Sequence, residues 1–133
     1  AWNASNQHSL LAFKDAISFD PNNSLGNWSP NVSFCKWIGI TCSSPHMRRV
    51  VGLNLSEMDL EGAISPLVGN LSSLQTLDLS YNRLRGSIPA EITQLSHMEV
   101  LRLGANYITG TLPPPLGNLS ALTDLQLKTT NIT

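Results

Sequence analysis

The 133-residue sequence predicts an α/β fold, a right-handed repeat solenoid whose short strands stack into a parallel concave sheet behind a helical, disulfide-bonded cap. Three observations carry that prediction. From Val50 onward the chain matches itself at starts Val50, Leu74, Met98 and Leu122, a constant step of 24 residues. Inside each unit apolar residues alternate as they would on one face of a strand, and Gly and Pro then interrupt the chain at fixed places. Residues 1–49 follow a different pattern, with helical spacing and the two cysteines.

Apolar residues fill the first, fourth, sixth and eleventh places of each unit: Val50, Leu53, Leu55, Leu60, then Leu74, Leu77, Leu79, Leu84, then Met98, Leu101, Leu103, Ile108. The fourth and sixth places point the same way in a strand, so a short strand opens each unit. Asn82 and Asn106 follow it, and their side chains can bond backbone groups left unpaired where the strand stops. Repeated coil after coil, they would form a ladder. Gly62, Gly86 and Gly110 come next, with Pro89 and Pro113 behind the last two, which forbids a long helix. The return path brings Val68 and Leu71, Ile92 and Leu95, Leu116 and Leu119 inward. One such coil cannot enclose a core, so the units must stack, with strands about 4.8 Å apart.

The end coil of a solenoid needs a cover, and residues 1–49 supply it. Leu10, Phe13 and Ile17 fall at helical spacing, with Ser5 or Asn6 available as N-cap and Asp20-Pro21 as the stop. A helix over about residues 7 to 19 is expected. Trp28, Trp37 and Ile38 are expected to crowd around Cys35 and Cys42. These two form a disulfide, against the alternatives of free buried thiols or half a metal site; closing so short a loop stabilises by roughly 2 to 3 kcal/mol in the chain-entropy model. No metal or cofactor is called for, since His8, His46 and His97 are scattered.

With 41% hydrophobic residues, 13% charged residues and a net charge of -1, the chain suits one packed domain and offers no basic footprint for nucleic acid. No apolar run approaches the roughly 18 residues of a membrane span, and the opening Ala1-Trp2-Asn3 reads as a mature, processed start. Glycosylation sequons begin at Asn3, Asn22, Asn27, Asn31, Asn54, Asn70, Asn118 and Asn131. Together with the paired cysteines they point to an oxidising, secretory compartment.

A partner would meet the strand residues between the structural leucines, which line up in columns across the units. One column reads Asn54, Asp78, Arg102, Gln126; the next reads Ser56, Ser80, Gly104, Lys128, beside Glu57, Tyr81, Ala105 and Thr129. Asn54, Asp78, Tyr81, Arg102, Gln126 and Lys128 are the candidate binding residues, with Tyr81 and Arg102 foremost because their types are enriched at binding hot spots. A glycan on Asn54 would obstruct the first repeat, whereas glycans on Asn70 and Asn118 would lie on the return side. Asp78, Asp124, Glu57 and Glu99 show no acid–base spacing and no phosphate loop or nucleophile elbow is present, so catalysis is not expected.

Leu74 to Pro89 matches L-x-x-L-x-L-x-x-N-x-L-x-G-x-I-P, and Cys35 to Cys42 matches C-x-W-x-G-I-x-C. These motifs resemble the plant-specific leucine-rich repeats and their N-terminal cap, from Leu10-Leu11-Ala12-Phe13-Lys14 to Leu127. The resemblance implies the ectodomain of a plant receptor-like kinase or receptor-like protein. Ile64-Ser65-Pro66 followed by Gly69-Asn70-Leu71-Ser72 is most similar to the immune pattern-recognition receptor kinases. In that family the ectodomain binds a peptide or protein, a co-receptor kinase docks beside it, and a membrane helix leads to a cytoplasmic kinase. A short co-receptor and a soluble inhibitor of microbial wall-degrading enzymes such as polygalacturonase are the alternatives. Departures are Met58 and Thr130 in the ladder place and Ser65 in the proline place. The fourth unit stops at Thr133, which reads as a fragment whose open coil would self-associate unless covered.

Overall fold

The computed structural model describes residues 4–44, 48–113, 119–128 and 131–132, the last two in their backbone only. Among the described residues one helix and ten strands follow in order: α1 (Ala4–Asp15), β1 (Ile17–Phe19), β2 (Ile40–Cys42), β3 (Val50–Asn54), β4 (Glu61–Gly62), β5 (Thr76–Asp78), β6 (Arg83–Gly86), β7 (Val100–Arg102), β8 (Tyr107–Gly110), β9 (Asp124–Gln126) and β10 (Asn131–Ile132). Short 3-10 turns sit at Phe34–Lys36, Pro66–Asn70 and Ala90–Gln94.

The predicted strands β3, β5, β7 and β9 form one sheet, joined at the cap end by β2, which was not expected, in the order β2-β3-β5-β7-β9. From β3 to β9 the pairing is parallel and in step with the repeat: Leu53 lies opposite Leu77, Leu77 opposite Leu101, and Leu101 opposite Leu125. Leu53, Leu55, Leu60, Leu77, Leu79, Leu84, Leu101, Leu103 and Ile108 have no exposed surface, and Val68, Leu71, Ile92 and Leu95 close the core from the return side. Each such side chain contributes roughly 2 to 3 kcal/mol by leaving water, so the repeated leucines are what hold one coil to the next. Leu116, Thr129 and Thr130 lie outside the described residues.

A second sheet, β1-β4-β6-β8-β10, runs along the flank of the coils and was not expected from the sequence. Its strands are short and lie where the turn residues suggested only a return path. The glycine in each makes the turn possible: Gly62, Gly86 and Gly110 have φ of 142°, 85° and 97°, a region that side chains disfavour. At Gly62 a Cβ would also strike the Ala16 carbonyl, so this glycine lets the cap close against the first repeat.

The asparagine ladder is present. Asn82 Oδ1 accepts from the Met58 and Leu60 amides at 3.1 and 3.0 Å, while Nδ2 donates to the carbonyls of Leu55, Leu79 and Ser80. Asn106 repeats the pattern one coil on, accepting from Leu84 and donating to Leu79, Leu103 and Gly104. Met58, in the ladder place of the first unit, therefore has its backbone amide served by the asparagine of the second.

In its helix the cap differs from the sequence expectation in two places. The helix runs Ala4–Asp15 rather than 7 to 19; Ile17–Phe19 is a strand pairing antiparallel with β4. Ile17 keeps its inward role, but pairing with the flank sheet outcompetes another helical turn. Ser5 and Asn6 are not N-caps but lie inside α1, and the buried Asn6 side chain accepts the Val50 amide at 2.9 Å, tying helix to first repeat strand. Asp20 does mark a turn, its carboxylate accepting from the Ser24 and Leu25 amides.

Cys35 and Cys42 form the expected disulfide, with Cα atoms 5.6 Å apart. Trp28 and Trp37 stack with ring centroids 5.4 Å apart, each 1% exposed, and each indole N–H finds a carbonyl, Ile38 for Trp28 and Val32 for Trp37. The Ile38 side chain does not join them: it is 45% exposed, because the residue is held through its backbone, which also donates to Asn27 Oδ1. Strand β2 pairs antiparallel with β3, extending the concave sheet into the cap.

Candidate functional site: the concave sheet

The alternation that buries the leucines turns their neighbours outward. Asn54 and Gln126 are exposed and Asp78 and Arg102 partly so, all on strands of the concave sheet as expected, and exposed Lys128 lies in the turn just past β9. Ser80 and Gly104 depart from expectation, since both are buried. The Ser80 amide and hydroxyl both donate to Asp78 Oδ1, at 3.0 and 2.6 Å, which folds the serine back onto its strand. Gly104 lies under the next coil, where a Cβ would sit 2.7 Å from the Lys128 carbonyl.

These two small residues become the floor of a groove of about 350 Å³, lined by Ser80, Tyr81, Gly104, Ala105, Gln126 and Lys128. Tyr81 stands at its edge, 62% exposed. Its φ is 58°, and Glu57 and Ala105, at the same place in their units, have 58° and 56°. A left-handed residue costs on the order of 1 kcal/mol, and the cost recurs coil after coil because the turn must deliver the ladder position inward. Backbone bonds hold it there, from Glu57 to Ser80, Tyr81 to Gly104 and Ala105 to Lys128. Tyr81 is thus fixed in backbone and free in side chain, an arrangement that suits an aromatic contact residue.

Arg102 is engaged more closely than sequence reasoning foresaw. Its Nε and Nη2 both donate to Asp124 Oδ2, the Nε bond being 3.1 Å, and its Nη1 lies 3.9 Å from Asp78 Oδ2. The hydrogen bond to Asp124, then the charges of Asp124 and Asp78, hold its guanidinium pKa above the ordinary arginine value despite some desolvation. The clamp spans β5, β7 and β9. In the sequence Asp124 stands out only as a possible acid. The signal for its real place was period two: the third place of each unit faces the same way as the fifth, giving a further column of Gly52, Thr76, Val100 and Asp124.

Among the described residues no three His, Cys, Asp or Glu side chains gather to hold a metal, and no helix is long and apolar enough to cross a membrane. Of the sequons, Asn22, Asn31, Asn54 and Asn70 are exposed and Asn27 is partly so; Asn3 and Asn118 lie outside the described residues, as does the side chain of Asn131. His46 also lies outside them.

The leucine rich repeat N-terminal domain matches residues 3–43, and the leucine rich repeat matches residues 73–95 and 97–119. Among curated relatives, the LRR receptor-like serine/threonine-protein kinase EFR of Arabidopsis thaliana is 41% identical over 58% of this chain and 8% of its own length. Receptor kinase-like protein Xa21 of Oryza sativa subsp. japonica is 40% identical over 57% of this chain and, again, 8% of its own. The chain therefore spans less than a tenth of the length of these kinases. Among solved structures, that of PEPR1–AtPEP1 superimposes with a TM-score of 0.90 at 30% identity, covering 98% of this chain and 18% of the other. The ectodomain of the receptor kinase SOBIR1 from Arabidopsis thaliana gives 0.82 at 28% identity, covering 98% of this chain and 70% of that one. The plant peptide hormone receptor RGFR1 in complex with RGF2 gives 0.66 at 31% identity, covering 74% and 18%. What matches is cap and repeat. With its cap, its 24-residue coils and its asparagine ladder located, the chain belongs to the leucine-rich-repeat family, with cap and repeats like those of plant receptor-like kinase ectodomains.

Proposed function

We propose that the chain is the cap and opening repeats of the extracellular binding module of a plant receptor-like kinase, and that it receives a peptide or protein ligand on its concave sheet, with a co-receptor kinase docking beside it. The groove across the second to fourth units carries this reading. Its floor is made of Ser80 and Gly104, its edge of an exposed tyrosine, and its far side of Gln126 and Lys128. Mixed polar character with one aromatic suits a peptide strand better than an apolar small molecule. Similarity to EFR and Xa21 supports a receptor, and similarity to the peptide hormone receptor RGFR1 supports a peptide. Immune signalling is the finer reading, and it rests on the resemblance of Ile64-Ser65-Pro66 and Gly69-Asn70-Leu71-Ser72 to the immune pattern-recognition receptor kinases.

A second reading, a short co-receptor, is favoured only by the existence of short ectodomains of this build: that of the receptor kinase SOBIR1 is covered to 70% by this chain. A soluble inhibitor of wall-degrading enzymes uses the same repeats but has no comparable support. Photo-crosslinking separates contact from bystander surface. A benzophenone amino acid placed at Tyr81 or Gln126 in the full-length protein, exposed to extracellular fluid of challenged leaves, should capture a ligand, while one at Arg85 on the flank sheet should not. Equal capture at all three positions, or capture at Arg85 alone, contradicts a concave-face site.

A further inference from the structure

The sequons are not equivalent in the folded chain. Asn22, Asn31 and Asn70 are exposed and lie outside the strands of the concave sheet. Asn27 has both ends of its amide in use: Nδ2 donates to the Lys36 carbonyl at 3.2 Å and Oδ1 accepts from the Ile38 amide at 3.1 Å, holding together the loop that carries the disulfide. Asn54 is different again. Its Oδ1 accepts from both the amide and the hydroxyl of Ser56, at 3.1 and 2.9 Å, so the oxygen is anchored, and Nδ2 donates in none of the hydrogen bonds found among the described residues. The residue is exposed at the end of β3, directly opposite Asp78 of β5. A substituent on its nitrogen would displace no hydrogen bond found there.

The groove leaves this sector empty. Its lining comes from the second, third and fourth units and includes no residue of the first. We infer that Asn54 carries an N-linked glycan standing on the concave sheet at the cap end of the groove, which confines a ligand to the second unit and beyond. This rests on the extracellular reading above, because the donor is a polyprenyl-pyrophosphate-linked oligosaccharide of the secretory pathway. Asn54 Nδ2 bonds to the anomeric carbon of the first sugar. The bond from that carbon to the pyrophosphate oxygen breaks, the pyrophosphate leaves with the electron pair, and Nδ2 gives up one proton. A sugar ring is about as long as the ~4.8 Å between strands, so even the first residues of the glycan reach the neighbourhood of β5.

The test is site-resolved occupancy. The full-length protein purified from plant tissue is treated with a peptide N-glycosidase in heavy-oxygen water, which converts each formerly glycosylated asparagine to a labelled aspartate, and fragment spectra locate the label. Label at Asn54 together with Asn70 is expected, and a Ser56→Ala variant should lose the Asn54 label alone. Label at Asn70, Asn22 or Asn31 with Asn54 bare overturns the inference and leaves the extracellular reading standing. No label at any sequon overturns both.

Discussion

Replacing Asn82 with alanine tests the asparagine ladder where it has most to lose. The side chain answers two backbone amides of the preceding coil, those of Met58 and Leu60, and gives its own two hydrogens to the carbonyls of Leu55, Leu79 and Ser80. Alanine leaves both amides without that acceptor in a site where the asparagine is 5% exposed. An unanswered buried donor costs about 1 to 3 kcal/mol. Leu79 retains the Asn106 amide as a donor, so the carbonyl side loses less. The two amides together make about 2 to 6 kcal/mol, a large share of the ~5 to 15 kcal/mol that keeps a typical domain folded. Asn106→Ala should cost about 1 to 3 kcal/mol, since among the described residues its oxygen answers one amide, that of Leu84. Urea unfolding of the purified chain, followed by fluorescence of the buried Trp28 and Trp37 and by circular dichroism, measures both. The two probes are needed because cap and repeats of a solenoid can melt separately. A loss below about 1 kcal/mol for Asn82→Ala would refute the reasoning, since it would mean that water or backbone adjustment replaces the ladder.

Three further outcomes follow from the geometry. Replacing Cys35 and Cys42 together with alanine should lower stability by about 2 to 3 kcal/mol, mostly in the tryptophan signal; no change under reducing conditions would contradict a structural disulfide. Gly104→Ala should cost about 1 to 3 kcal/mol, because the methyl meets the backbone carbonyl of Lys128 and not a yielding side chain; unchanged urea midpoints would refute that close approach. The Arg102 pKa is raised by its two carboxylates, so whatever the clamp contributes is present below the ordinary arginine range and lost only as pH rises through the raised value. The melting-temperature difference between wild type and Arg102→Gln should therefore stay constant from neutral to mildly alkaline pH, and a difference that narrows there would show that another group titrates with the clamp.

What the sequence disclosed follows from which forces repeat. Leucines at a fixed period disclosed the parallel sheet, and Asn82 and Asn106 disclosed the ladder, because burial and backbone satisfaction impose the same residue type at each step. The flank sheet was illegible, since its two- to four-residue strands carry exposed polar residues such as Arg83, Arg85 and Thr109 and leave little apolar pattern. Ile17 misled in the other direction. It fits the helical spacing of Leu10 and Phe13, yet pairing with Gly62 of β4, distant in sequence, decides its conformation, a tertiary effect that no local pattern contains. At the candidate site the columns were legible, whereas the partnership of Arg102 with Asp124 was not, because it joins different places in adjacent units. The burial of Ser80 also escaped the pattern, since it depends on a hydroxyl turning back to Asp78.

Reading the parent transcript past the codon for Thr133 tests the receptor account most directly. The account predicts further 24-residue units with asparagine at the ladder place, then an apolar span of about 20 residues and a kinase domain. A reading frame that instead reaches a closing cap and a stop codon, with no such span, would contradict it and leave a soluble repeat protein to be explained.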